Sequence, residues 1–229
     1  MWEFITPSQM QVCMGSDGTR SIGPRIAQTR LSLEGMSAAQ SDAWSDAISL
    51  MVGFGPGEVS NLGNTPHLIP PGAELEARKW LESLGIDAAN AGACALTCTG
   101  SVFHHDADSY PREVFCIVWL SDDTHWDLFF PHTGERVELH YGTAVVFDSA
   151  QPHGVVPHGA KTFEELTFEY QTGVFLSLDI PVVGTGVASL LGIELDRDAD
   201  APGHTTLNWH RFGEELEPDT GRWAIRRLS

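Results

Sequence analysis

The chain has 229 residues, 42% of them hydrophobic, enough for one substantial core and short for two. Thirteen basic against thirty-one acidic residues leave a net charge of −18, which repels phosphate backbones and excludes duplex nucleic acid as an expected partner. No apolar run approaches the roughly 20 residues of a bilayer-crossing helix, and Met1-Trp2-Glu3-Phe4 lacks the basic-then-apolar order of a signal peptide, so a soluble, cytoplasmic protein with no membrane partner is expected.

A single domain in three stretches is expected: a helical supporting region over 1–93, a β core over 94–178 and a covering segment over 179–229. In the first, Ser37 or Ser41 can cap a helix whose Ala43, Trp44, Ala47, Ile48 and Met51 form one apolar stripe, ended by Gly53-Phe54-Gly55-Pro56-Gly57. Residues 61–72, rich in Gly, Pro and Asn, read as a loop. A second helix is predicted from Ala73 to Leu84, with Leu75, Trp80, Leu81 and Leu84 on one face and Gly85 as its stop.

From Cys94 the texture changes to short strands separated by turn residues. Ala95 to Phe103 reads as one strand, and Val114 to Leu120, apolar on both faces, as a central one. His125 to Phe130, Arg136 to His140, Thr143 to Phe147, Gly154 to Val156 and Leu166 to Gln171 follow at a spacing that indicates an all-β sandwich or barrel. In the tail, 196–203 reads as an acidic loop, and Thr205 to Phe212 and Arg222 to Leu228 as a hairpin. Cys13, Cys94, Cys98 and Cys116 contain no CxxC pair and read as buried thiols.

The chemistry concentrates at His104-His105-Asp106 and at Gln151-Pro152-His153-Gly154. Two imidazoles and one carboxylate on one face of a metal leave coordination positions open for a co-substrate and dioxygen. The HxD tripeptide is weak by itself: ten histidines and 31 acidic residues in 229 give about 1.4 HxD or HxE tripeptides by chance, and a second stands at His125-Trp126-Asp127. In an extended segment His104 and Asp106 point the same way while His105 faces away. Four predicted strands separate Asp106 from His153 and barely two separate Asp127 from it. Since a jelly roll returns to the same mouth after several strands, His104 and Asp106 are favoured.

On Ser101-Val102-Phe103-His104-His105-Asp106 and on Gly142-Thr143-Ala144-Val145-Val146-Phe147 leading to His153-Gly154-Val155, the chain resembles the Fe(II)/2-oxoglutarate-dependent dioxygenases over about 94–178. The resemblance implies a mainly β fold with N-terminal helices around a double-stranded β-helix (jelly-roll, cupin-like) core. It implies Fe(II) held by His104, Asp106 and His153, 2-oxoglutarate as co-substrate, and dioxygen. Oxidative decarboxylation to succinate and carbon dioxide would drive oxidation, by default hydroxylation, of an unactivated C–H bond.

The family's basic residue past the distal histidine, which binds the co-substrate carboxylate, has no arginine to match it between His153 and Arg197. Lys161 is the candidate, with Arg112 and Arg136 as alternatives from other strands. His125, His132, His140 and His158 are expected to be surface or hydrogen-bonded structural residues. Modest size and few insertions favour a small-molecule substrate, whose identity the sequence leaves open along with the oligomeric state. Two rival readings remain: a cupin-type metal enzyme that does not use 2-oxoglutarate, and a jelly-roll binding module with structural histidines.

Overall fold

Gly100, at φ +70°, turns the chain where a single strand from Ala95 to Phe103 is expected, and the two halves join different sheets. The computed structural model describes residues 2–4, 10–49, 55–62, 68–70, 72–122, 125–164, 171–196, 205–207, 214–217 and 220–226. The strand expected from Leu166 lies outside these residues except for Gln171, as do most of the acidic loop, much of the 61–72 loop, and Met51 to Phe54 of the first helix and its stop.

In chain order the N-terminal elements are β1 (Trp2–Phe4), β2 (Met10–Cys13), β3 (Thr19–Ser21), β4 (Ala27–Arg30), α1 (Ala38–Ser49), β5 (Val59–Asn61) and α2 (Ala73–Ser83). The central strands are β6 (Gly92–Cys98), β7 (Ser101–His104), β8 (Glu113–Trp119), β9 (Trp126–Phe130), β10 (Glu135–Leu139), β11 (Thr143–Phe147), β12 (His153–Pro157) and β13 (Gly173–Pro181). The tail holds α3 (Val187–Leu191), β14 (Leu195–Asp196), β15 (Thr205–Leu207), β16 (Glu214–Leu216) and β17 (Trp223–Arg226).

Two antiparallel sheets face each other, one in the order β10-β9-β12-β7 and one in the order β4-β11-β8-β13-β6-β5. From β6 to β13 successive strands alternate between the sheets, except at the β9–β10 hairpin, in the winding of a double-stranded β-helix, so the predicted core architecture is the one observed. Four strands, β8 to β11, separate Asp106 from His153, as the sequence predicts. The region before Cys94 contributes more than helices: β4 and β5 form the two edges of the larger sheet. Their short sequences, Ala-Gln-Thr-Arg and Val-Ser-Asn, carry no apolar run that would mark them.

Side-chain alternation divides the core in two. Val114, Cys116 and Val118 of β8, Ala144 and Val146 of β11, and Leu176, Leu178 and Ile180 of β13 face a layer of helices that includes Trp44, Ala77, Leu81 and Leu191. Ile117, Trp119, Val145 and Phe147 turn the other way and meet Trp126, Leu128 and Phe130 between the sheets. Burial on both faces explains the unbroken apolar sequence of β8.

Ser37 starts α1 through a capping box: the Gln40 amide N–H donates to Ser37 Oγ at 3.3 Å, and the Ser37 amide N–H donates to Gln40 Oε1 at 2.9 Å. Trp44 anchors the helix by donating to the Leu68 carbonyl at 2.6 Å. The buried face of α2 is Ala73, Ala77 and Leu81, whereas Leu75 is 56% exposed and leaves the predicted stripe. Two alanines at the contact let the helix approach the sheet closely, and Leu81 fills the space beyond them.

The tail does not form the expected hairpin. β15 runs parallel to β2, while β17 pairs with β1 and β16. Residues from both chain ends, including Met10, Val12, Ile22 and Trp223, pack around Ala107 and Ala150, which lie in the loops beside the histidines.

Candidate metal centre and its cavity

His104 closes β7 and His153 opens β12, and the two residues are direct partners in the antiparallel register. Their rings lie 4.4 Å apart between centroids. Asp106 follows two residues after β7, in a turn whose amide N–H groups at Ser109 and Tyr110 donate to its carbonyl. Its own amide donates to the Ser149 carbonyl at 2.8 Å, which ties the two ligand-bearing loops together. His104 Nε2 and His153 Nε2 stand 3.9 and 3.6 Å from Asp106 Oδ2, and one ligand atom from each residue falls within 4.8 Å of the others. This is the grouping of potential metal ligands found among the described residues.

The second nitrogen of each ring settles its chemistry. His104 Nδ1 lies 2.8 Å from the Val102 carbonyl, and His153 Nδ1 lies 2.8 Å from the Gln151 carbonyl. A carbonyl only accepts, so each Nδ1 carries a proton, and Nε2, which faces Asp106, is the nitrogen left to ligate an ion. Two imidazole nitrogens and a carboxylate directed at one point suit a divalent ion of intermediate hardness. Burial and the neighbouring His104 hold His153 well below the ordinary histidine range, which keeps it neutral and ready to ligate. Burial pushes the Asp106 carboxyl above its usual range, with His104 opposing the shift and Asp179 adding to it.

His105 faces away as predicted. Its ring packs 4.2 Å from Trp223, and burial brings its pKa down to about 4. The competing tripeptide is closed off. Asp127 is fully buried, accepts from Arg136 at 2.8 Å and the Gly159 amide at 2.9 Å, and lies 2.9 Å from His158 Nδ1. His132 accepts from the Trp223 amide and His140 lies 3.1 Å from Glu138. None of these histidines lines the cavity beside the triad.

That cavity, of about 280 Å³, runs between the two sheets. His104, Asp106 and His153 stand in its wall together with Ile117, Leu128 and Phe147. The three basic residues considered for a co-substrate carboxylate are not brought to it. Arg112 donates to the Met14 carbonyl at 2.8 and 3.0 Å and pairs with Asp17 at 3.2 Å. Arg136 is held by Asp127 and by the Ala160 carbonyl, and lies 4.3 Å over the Phe129 ring. Lys161 is exposed in the bend after β12. Among the described residues, no lysine or arginine lines the cavity.

Sequence reasoning missed two features. Phe175, Ser177 and Asp179 of β13 alternate with Val174, Leu176, Leu178 and Ile180, and the first three turn into the cavity. The polar positions of that alternation were the available signal, but a core ending at 178 leaves Asp179 out. Arg20, fully buried on β3, pairs with Asp148 at 2.6 Å and donates to the Pro111 carbonyl at 2.8 Å. Asp148 also accepts from the Gly23 and Ala150 amides, so this ion pair fixes the loop leading into His153. Nothing local in Thr-Arg-Ser announces a partner 128 positions away.

No protein-family model matches the chain. No curated protein matches it either. Among solved structures it is similar to a viral collagen prolyl hydroxylase from Paramecium Bursaria Chlorella virus-1 in complex with 2OG, at 14% identity and a TM-score of 0.41 over 68% of this chain and 94% of that one. It is also similar to a Pseudomonas putida prolyl-4-hydroxylase, at 16% identity and a TM-score of 0.37 over 70% and 93% of the two chains. HygX from Streptomyces hygroscopicus, with nickel and 2-oxoglutarate bound, is similar at 12% identity and a TM-score of 0.39 over 71% and 84%.

Proposed function

We propose that this chain is a non-haem Fe(II) oxygenase that uses 2-oxoglutarate and dioxygen to oxidise, by default to hydroxylate, an unactivated C–H bond of a small metabolite, releasing succinate and carbon dioxide. The observation that carries the reading is the convergence of His104 Nε2, His153 Nε2 and the Asp106 carboxylate at the wall of a cavity. Two nitrogens and one oxygen would leave coordination positions open on an ion held there.

His104, His153 and Asp106 would hold the ion, with their orientations set by the Val102 and Gln151 carbonyls and the Asp106 amide bond to Ser149. Fe(II) bound there supplies electrons to dioxygen and, with a 2-oxo acid, drives its oxidative decarboxylation. Ile117, Leu128 and Phe147 give the cavity an apolar wall that excludes water around the target carbon. A volume of about 280 Å³ is at the low end for ligand sites and favours a small substrate.

The test is a screen of amino acids and natural-product intermediates with the Fe(II)-loaded chain, reading succinate release coupled to substrate loss. Asp106→Ala and His153→Ala are expected to lose both. Full coupled turnover in Asp106→Ala would overturn the reading.

A second reading is favoured by the lack of lysine and arginine among the described cavity residues: a metal enzyme of the same triad that does not use 2-oxoglutarate. Substrate loss with no 2-oxoglutarate requirement and no succinate would establish it.

A further inference from the structure

The fold gives its buried or half-buried aspartates Asp148, Asp127 and Asp106 a cation or a place for one. Asp148 has Arg20, Asp127 has Arg136 and His158, and Asp106 has the two imidazoles of the candidate metal centre. Asp179, turned into the same cavity from β13, has among the described residues one side-chain partner, the neutral Ser177 hydroxyl, which donates to Oδ1 at 3.2 Å. The charged groups that act on its surroundings are acids, Glu113 and Asp106. Cys94 and Tyr110, the titratable side chains beside it, carry no positive charge in any form.

We infer that the cavity takes a cationic substrate, an aliphatic amine whose ammonium group pairs with Asp179 while its carbon skeleton extends toward His104, Asp106 and His153. A half-buried carboxylate with a single hydroxyl donor keeps unused acceptor capacity, and an ammonium group carries three donors to fill it. Burial and Glu113 raise the Asp179 carboxyl above its ordinary range, and an ammonium beside it would reverse that shift. Tyr110 and Phe115, edge to face at 4.8 Å, line the same cavity and offer aromatic surface to a cation. Among the described lining residues there is no lysine or arginine, so no side-chain cation of the cavity wall competes with a ligand ammonium for Asp179. Asp179 is thus a specificity residue for the substrate, distinct from the residues that would hold the ion. For the chemistry that follows binding, the inference rests on the oxygenase reading.

Three probes of one shape test it: phenethylammonium, phenethyl alcohol and 3-phenylpropionate. Each is titrated into the full chain loaded with redox-inert Zn(II) and into the metal-free chain, with tryptophan fluorescence as the readout because Trp119 lines the cavity. The ammonium is expected to bind at least roughly tenfold more tightly than the alcohol, the scale of a charge-assisted hydrogen bond, and the carboxylate to bind most weakly to the metal-free chain. In Asp179→Asn, the ammonium and the alcohol should converge to within about twofold, with Zn(II) affinity unchanged. Equal binding of ammonium and alcohol to the unsubstituted chain would overturn the inference, whatever the fate of the variant. So would an ammonium preference that survives in Asp179→Asn. If Zn(II) fails to bind while the ammonium preference holds in the metal-free chain, the oxygenase reading fails and the role of Asp179 stands.

Discussion

Arg20 and Asp148 meet at 2.6 Å with neither side chain exposed, and the loop they secure enters β12 at His153. Removing the guanidinium leaves a buried carboxylate whose remaining partners are the Gly23 and Ala150 amides. Arg20→Met is therefore expected to cost about 3–5 kcal/mol of stability by chemical denaturation. It should also weaken Co(II) binding by about 10–100-fold, the effect typical of groups that orient metal ligands. Unchanged Co(II) affinity would show that the loop holds His153 in place without this pair.

The two HxD tripeptides should respond oppositely to substitution. Asp106→Ala and His153→Ala are expected to lose Co(II) binding and turnover while keeping the circular dichroism of the unsubstituted chain. His125→Ala should retain both, because His125 is exposed and outside the cavity. A shared loss in all three would point to general destabilisation.

Stability should fall with acid through a half-buried histidine. His132 accepts the Trp223 amide proton and has its pKa brought down to about 4, first by burial and then by Arg222. The unfolded chain takes up that proton near pH 6.5 and the folded chain only near pH 4, so stability is lost as pH falls through this window and levels off below it. The contribution is on the order of 2 kcal/mol, allowing for the partial exposure of the ring. His132→Gln, which can accept the same bond without titrating, should flatten the slope of unfolding free energy against pH between 4 and 6.5. An unaltered slope would assign the effect elsewhere.

Lys161→Ala is expected to leave the 2-oxoglutarate requirement unchanged, since Lys161 is exposed and away from the cavity wall. Arg136→Ala should act through stability. It strips Asp127 of its guanidinium partner and costs about 1–3 kcal/mol, with the concentration of 2-oxoglutarate for half-maximal rate little altered. A raised requirement in Lys161→Ala would return that residue to the site.

Gly154 follows His153 where β12 crosses β7. A Cβ there would lie 2.9 Å from the Phe103 ring and 3.0 Å from the Ser101 carbonyl oxygen, and the second neighbour is backbone that cannot swing aside. Gly154→Ala should cost about 1–3 kcal/mol and weaken metal binding by disturbing the pairing of His153 with His104, a shift visible in the imidazole NMR signals.

The triad was legible because its signal is local at both ends: HxD beyond an apolar strand, and His-Gly-Val after a glycine-led strand and a short loop. Counting strands chose between the two HxD copies, and the structure supplies the reason that Asp127 is unavailable: Arg136 and His158 already hold it. Less could be read where an element depends on a distant partner. β4 and β5 are short and polar, and they exist because the larger sheet has edges to cover. Arg20 reads as an ordinary strand residue until Asp148 is placed against it. The tail misled for the same reason, as β15 and β17 find their partners at the other end of the chain, in β2 and β1.

β7 is four residues long and, among the described residues, sits at the edge of its sheet and pairs with β12, with a break in register after His153. An ion shared by His104, Asp106 and His153 would rivet that strand to β12, joining points far apart in sequence. Chelation should accordingly speed amide exchange at 101–104 before it disturbs the larger sheet. Occupancy of the centre by a divalent ion would then set the local stability of that strand as well as the chemistry open to the site.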